Sequence, residues 1–315
     1  MVCHLSDIIK INSTVIFSKI FKRITITKYK KMKSLPEKSW SLIIKPKKRL
    51  LDLHLNDLWR SRDLIGLFVR RDFVAQFKQT ILGPAWFVIQ PLLTTLMFTI
   101  VFGNIAQLST DGLPKILFYL SGNILWSYFS LCLTSTSDTF TANAHLFGKV
   151  YFPRLAVPIS VIISNFMKFG LQFILFFGIL SYYLLTGTAV ELTWAVALIP
   201  LLLVLMAGLS LGMGIIISSM TTKYRDLKFM LSFGVQLSMY ATPVIYPMSS
   251  IPERWRAFIW FNPMTPIIET FRFGFLGTGS FSWLHLGYSA VVTFIVLFIG
   301  TVIFNRVEQT FMDTV

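Results

Sequence analysis

The sequence predicts an all-α polytopic membrane protein with six transmembrane helices, and three observations carry that prediction. Hydrophobic residues make up 54% of the chain and charged residues only 14%, against about 25% charged in average soluble chains. Uncharged runs of roughly 20 residues recur, the length that a hydrocarbon core of ~30 Å demands of a helix. Charge is also distributed asymmetrically. Residues 1–80 hold 18 of the 29 Lys and Arg against 6 acids, a net of +12 out of +15. A basic segment ahead of a span normally stays cytoplasmic and touches anionic lipid. The span that follows disfavours nucleic acid as its partner.

Taken in order, residues 1–58 form a basic tail. Its apolar stretch from Ile8 to Ile26 is broken by Lys10, Lys19, Lys22 and Arg23, so it makes neither a span nor a clean signal peptide. Met32 is a second candidate translation start besides Met1. Residues 59–79 read as an amphipathic helix lying on the membrane surface. Ile65, Val69, Phe73 and Phe77 recur at i+4, while Arg70, Arg71 and Lys78 fall mostly elsewhere on the wheel and Asp72 interrupts the apolar side. A soluble amphipathic helix is the plainer reading, but a span follows at once. Gly83-Pro84 marks the change of environment, since proline is tolerated in a helix's first turn.

The remaining chain, 80–315, is expected to hold the six spans, at about 82–103, 116–137, 158–184, 194–219, 228–247 and 286–305. With the N-terminus inside, the loops carrying Lys149 and Arg154, and Lys223, Arg225 and Lys228, are cytoplasmic, as is the C-terminus. The loops with Asp111 and Glu191 face out, so the positive-inside pattern is obeyed. The long segment 248–285 places Arg254, Arg256 and Arg272 outside, offset in part by Glu253 and Glu269. Its apolar runs, Phe258–Phe261 and Ile267–Phe275, are too short to span. They read as re-entrant helices, tolerable where protein or water covers their ends.

Few residues invite chemistry. No G-x-x-x-x-G-K-[ST] motif occurs, so the chain carries no nucleotide-binding P-loop. Cys3 and Cys132 cannot define a disulfide framework, and no metal-ligand spacing is present. Spans one, two, four, five and six hold no internal acid or histidine, the groups a proton-coupled carrier needs. His145 and His285 lie on opposite sides, which leaves no constellation for a membrane transferase. Lys168 is the one charge deep inside a span. It either contacts an anionic headgroup or phosphate, or more ordinarily snorkels or pairs with backbone carbonyls. The 30 Phe suit lipid-facing and interfacial positions, and flat aromatic faces also suit a sliding sugar polymer. Gly208 and Gly212 form a small-xxx-small pair for close helix contact, either between subunits or within one. Phe140 to Val150 reads as a short helix parallel to the membrane, a handle for a soluble partner or else a plain connector.

The ordered set Phe68-Val69-Arg70-Arg71-Asp72, Leu82-Gly83-Pro84-Ala85-Trp86, Phe147-Gly148-Lys149-Val150-Tyr151-Phe152-Pro153-Arg154, Thr222-Lys223-Tyr224-Arg225-Asp226, Thr242-Pro243-Val244-Ile245-Tyr246-Pro247 and Asn262-Pro263-Met264-Thr265-Pro266 resembles the membrane subunit of type-2 ABC exporters. More closely, it resembles the permeases that export O-antigen, capsule or teichoic-acid polymers on a polyprenyl carrier. The resemblance covers about 60–315. It implies a permease in the cytoplasmic (inner) membrane that is not itself an enzyme and binds no cofactor, with ATP and Mg on a separate soluble ATPase subunit. A second copy of the chain, membrane lipid and a polyprenyl-linked glycan are the other implied partners. Asn143, His145, Phe147 and Lys149 would couple to the ATPase. Arg70, Arg71 and Phe73 would belong to the interfacial helix, and Pro263, Pro266, Glu269 and Arg272 to an outer gate. Trp86, Phe87, Tyr119, Trp126, Lys168 and Tyr240 would be candidates for the substrate path. The alternatives are an exporter of a small lipid or drug, a polytopic glycosyl- or acyltransferase, and a secondary carrier.

Overall fold

The computed structural model describes residues 55–78, 80–147, 152–188 and 190–314. The expected basic tail lies almost wholly outside the described residues, as does Lys149. Every regular element among the described residues is helical.

A short helix α1 (Leu55–Arg60) leads into α2 (Arg62–Phe77). Lys78 is extended and ends α2, and a 3-10 turn at Gly83–Ala85 with Pro84 in its first turn starts the next helix. That helix, α3 (Trp86–Phe98), contains Pro91 and widens into a π-helical stretch, Thr99–Ile105. Asp111 and Gly112, both at positive φ, make the turn into α4 (Lys115–Ser137). Two helical turns, α5 (Thr139–Ala142) and α6 (Ala144–Phe147), follow. Then come α7 (Ala156–Leu185), a 3-10 turn at Trp194–Leu198, and α8 (Ile199–Thr221). The chain continues through α9 (Leu227–Tyr240), α10 (Glu253–Trp260), α11 (Met264–Leu276) and α12 (Trp283–Thr314).

Five helices are long and apolar enough to cross a membrane: Gly83–Ile105, Lys115–Ser137, Ala156–Leu185, Trp194–Thr221 and Trp283–Val307. These match expected spans one to four and six. The expected fifth, 228–247, differs. Its helix α9 has 14 residues, and the chain turns at Ala241. The cause is local: Pro243 has no N–H to continue a helix and disfavours helical geometry at Thr242.

Helix α4 is the centre of the bundle. It is 78% buried over its span window and lies against α3, α7, α8 and α11. Asn123 on α4 donates from Nδ2 to the Pro91 carbonyl at 3.1 Å, which fixes the proline-containing α3 to the centre. Helix α8 packs between α4 and α12 with almost no intervening side chain. A Cβ on Gly214 would come within 2.6 Å of Thr136 Cβ, and one on Gly212 within 2.8 Å of the Leu297 backbone. Gly208 faces Thr293 in the same way. The small-residue pair read from the sequence therefore serves contact within one chain, against α12.

Loops sort to two ends. At one end Phe68, Phe140, Phe147, Val157, Ile215 and Phe304 form a buried cluster that joins α2, α5, α6, α7, α8 and α12. The Phe140 and Phe304 rings stack there at 4.6 Å. Lys228 Nζ meets Asp138 Oδ2 at 2.9 Å at the same end. At the other end, Ser249 donates to Asp111 at 2.6 Å and Thr193 N–H to the Gly274 carbonyl at 2.8 Å. Gly212→Leu is expected to destabilise the chain by about 1–3 kcal/mol through overpacking. A thermal-unfolding curve in detergent checks this, and an unchanged midpoint would show that α8 and α12 are not closely held.

Candidate functional site

Two of the sequence-predicted gate residues, Glu269 and Arg272, meet in one buried polar cluster. Asn262 opens α11: its Oδ1 accepts the Met264 N–H at 3.0 Å and its Nδ2 donates to Thr242 Oγ1 at 2.8 Å. Pro263 is half-buried just before α11, and Pro266 lies buried in its first turn, where a missing N–H costs little. Arg272 is fully buried. Its Nη1 donates to the Pro243 carbonyl, its Nη2 to the Val244 carbonyl at 2.7 Å, and its Nε to Ser121 Oγ at 3.4 Å. The guanidinium lies 3.8 Å from the centre of the Phe118 ring, and Glu269 stands 3.6 Å away one turn back. Glu269 Oε2 accepts from the Ser280 N–H at 3.1 Å and its hydroxyl at 3.3 Å. Burial pushes the Glu269 carboxyl above the ordinary carboxylate range, with Arg272 and Ser280 opposing that shift.

Three glycines make the cluster possible. Gly277 ends α11 in the left-handed region, and Gly279 at φ 112° brings Ser280 back to Glu269. Gly122 lets α4 approach: a Cβ there would meet the Val244 carbonyl at 2.7 Å and Arg272 Nη2 at 2.9 Å. Sequence reading picked Glu269 and Arg272 but missed Ser121, Gly122 and Ser280. Their signal, polar or small residues inside apolar runs, gives no partner. The other short helix of this segment, α10, has no buried residue, and Trp255, Phe258 and the following Phe261 are open.

A second polar region lies midway along α7. Lys168 is 3% exposed, and its Nζ donates to Asn165 Oδ1 at 2.7 Å and stands 5.3 Å from the Phe87 ring centre. It lines a cleft of about 470 Å³ between α3, α4 and α7 with Trp86, Gln90, Thr94, Thr134 and Gln172.

The other predicted residues divide by exposure. Trp86 and Tyr240 are about half exposed, whereas Tyr119 and Trp126 are enclosed within the bundle. Tyr119 packs edge-on against Phe98 and Phe118. On the surface helix, Arg70 is exposed and Arg71 pairs with Asp72 at 2.8 Å while lying over Phe68. Phe73 is half-buried. Of the expected coupling residues, His145 is exposed, Asn143 and Phe147 are buried, and Lys149 falls outside the described residues. The expected single helix over 140–150 is two short turns in its described part, interrupted at Asn143.

Helix α9 is thinly packed for its 14 residues. Val235 is its one buried residue. Its uncovered surface mixes Phe229, Phe233 and Tyr240 with Ser232, Gln236 and Ser238.

The described residues are helical throughout, and five helices long and apolar enough to cross a membrane define a multi-pass helical membrane protein. Residues 63–276 match the family model described as ABC-2 type transporter, and the chain belongs to that family. It is 27% identical over 252 residues to an O-antigen export system permease protein RfbA of Klebsiella pneumoniae, covering 80% of this chain and 94% of that one. It is 24% identical over 265 residues to an RfbA of Myxococcus xanthus, with 83% and 98% covered. The polysialic acid transport protein KpsM of Escherichia coli is 24% identical over 258 residues, with 79% and 95% covered.

Arg272→Met is expected to cost about 3–5 kcal/mol, because it removes the charge partner of buried Glu269 and leaves two carbonyls unpaired. Gly122→Ala should destabilise in the same direction without removing any charge. Thermal unfolding of both purified variants tests the clamp, and a wild-type midpoint for each would refute it.

Proposed function

We propose that this chain is the permease subunit of an ATP-driven exporter that moves a lipid-linked, O-antigen-like polysaccharide across the cytoplasmic membrane. Family membership and near full-length similarity to permeases named for O-antigen and polysialic acid support the class and the cargo. The observation that carries the polymer reading is the surface of α9, uncharged beyond Lys228 at its start and mixing amide, hydroxyl and aromatic groups. Ser232 and Ser238 bond back to the Phe229 and Gly234 carbonyls, but lipid would leave the exposed Gln236 amide unsatisfied, which favours protein or a water-filled passage over it. A second copy of the chain facing α3 and α9 would supply that passage, with Trp86, Phe87 and Tyr240 on its wall and Tyr119 and Trp126 supporting it from behind. Aromatic faces stack on sugar rings without gripping them, and the sparse charge lets a polymer slide.

On this reading the chain crosses the membrane six times. The 14-residue α9 and the extended segment to Pro247 together serve as the fifth crossing, and both termini are cytoplasmic. Lys223, Arg225 and Lys228 then lie inside with the basic surface helix, in keeping with the positive-inside pattern. Helices α10 and α11 form the outer gate. ATP and Mg bind a separate soluble subunit. That subunit pushes on α5 and α6, where exposed His145 makes contact and buried Phe147 passes the displacement into the aromatic cluster.

Mild-detergent purification of the tagged chain should bring down a stoichiometric ATPase, and a chain that always purifies alone would overturn the assignment. His145→Asp should leave the ATPase bound while surface polymer falls. Export at the wild-type level with that variant would remove His145 from coupling.

A further inference from the structure

We infer that the cleft around Lys168 is a binding site for the phosphate group of a lipid. The site rests on the exporter reading only for the choice of lipid, since its geometry stands alone. A lysine ammonium has three N–H donors, and Lys168 uses one of them, on the neutral amide of Asn165. No carboxylate lies within ion-pair distance of it among the described residues. Asp72 acts on it through space but is itself held by Arg71 at 2.8 Å. A buried cation costs several kcal/mol unless an opposite charge and hydrogen bonds compensate it. Inside a membrane such residues mark ligand or ion pathways.

The rest of the cleft fits an anion on an apolar tail. Gln90 is exposed at its mouth and Thr94 half-exposed, beside hydroxyls of Ser127 and Thr134. Asn165 Nδ2 and Gln172 Oε1 are buried without hydrogen-bond partners. Asn165 Nδ2 is already a free donor, and the Gln172 amide presents one when inverted. A phosphate accepts from these amides, from Gln90, from the Ser127 hydroxyl and from the two remaining Lys168 N–H groups, whose charge it neutralises, while the Thr94 and Thr134 hydroxyls keep donating to the Gln90 and Ser130 carbonyls. The rings of Trp86, Phe87 and Phe169 offer the adjoining methylene or isoprenoid units an apolar wall. Gln76 of α2 and Gly83 just before α3 also line the cleft, so a lipid headgroup can approach from the end where α2 leads into α3.

The test uses the full-length chain in detergent, with native mass spectrometry reading bound lipid against titrations of four probes: a long-chain polyprenyl phosphate, the neutral polyprenol, phosphatidylglycerol and inorganic phosphate. Lys168→Gln is expected to weaken polyprenyl phosphate by about tenfold or more and to leave polyprenol unchanged. Lys168→Arg should retain binding, and Thr94→Phe, which fills the cleft without touching the charge, should weaken it. Displacement by phosphatidylglycerol at equal concentration identifies a general anionic-headgroup site. Resistance to it identifies a carrier-lipid site, and displacement by inorganic phosphate alone identifies the phosphate as the whole determinant. Wild-type affinity for polyprenyl phosphate in both Lys168→Gln and Thr94→Phe overturns the site, as does a wild-type chain that binds polyprenol equally well. Polymer export is scored separately in cells, so a failed binding test leaves the transporter reading standing and a failed export test leaves the binding curves interpretable.

Discussion

The structure depends on Arg272 supplying hydrogen bonds to backbone that is not helical. Between Tyr240 and Met248 the chain runs without regular structure, and Pro243 contributes no N–H at all. Backbone of this kind persists at membrane depth only where protein satisfies it. The guanidinium does so for two consecutive carbonyls, while Gly122 leaves room for them against α4. Pro243 ends α9 locally, and Arg272, about thirty positions on, holds the irregular turn that follows. The same Arg also holds Glu269, which in turn receives Ser280, so the exit of α11 and the entry to α12 are fixed by the same charge pair.

This clamp and the aromatic cluster at the opposite end share one element. Helix α4 begins near the polar clamp, through Ser121 and Gly122, and ends against the turn that carries Asp138 and Phe140. Its 23 residues span about 35 Å as a helix. Thr221 and Ser218 on α8 bond to the chain on either side of Asp138, so α4 and α8 are locked together at that end. The bundle then has a centre of α4, α8 and α12, with α3 tied to it through Asn123 and α9 beside it burying only Val235.

Much of this was legible from run lengths and charge. Spans one to four and six appear within a few residues of their expected limits, because ~20 apolar residues between charged flanks leave little freedom. The short helices near 258 and 267 were legible for the opposite reason, as apolar runs too brief to cross. The fifth span was overdrawn. Hydropathy continued to Pro247, and the stop at Thr242-Pro243 was visible but outweighed. The segment at 140–150 was drawn as one helix although Asn143, a poor helix former, divides it. What could not be read was pairing across the fold. Nothing local says that Gly212 meets Leu297, that Asn123 reaches the Pro91 carbonyl, or that Ser121 and Ser280 complete the surroundings of Arg272 and Glu269. Each is a contact between residues tens of positions apart, and the polar residue by itself announces only that a partner is needed.

The two buried cations show how the difference between holding a fold and binding a ligand can be argued. Arg272 and Lys168 are equally hidden, and both sit beside an aromatic ring. Arg272 is saturated: its planar fork meets two carbonyls and a hydroxyl, with a carboxylate adjacent. Guanidinium is suited to such fixed multidentate roles. Lys168 has one neutral hydrogen bond and a roomy polar cleft before it. An ammonium on a flexible stem loses little by exchanging partners, and a charge left half-compensated favours any anion that enters. The satisfied charge stabilises an irregular turn, and the unsatisfied one keeps an affinity in reserve.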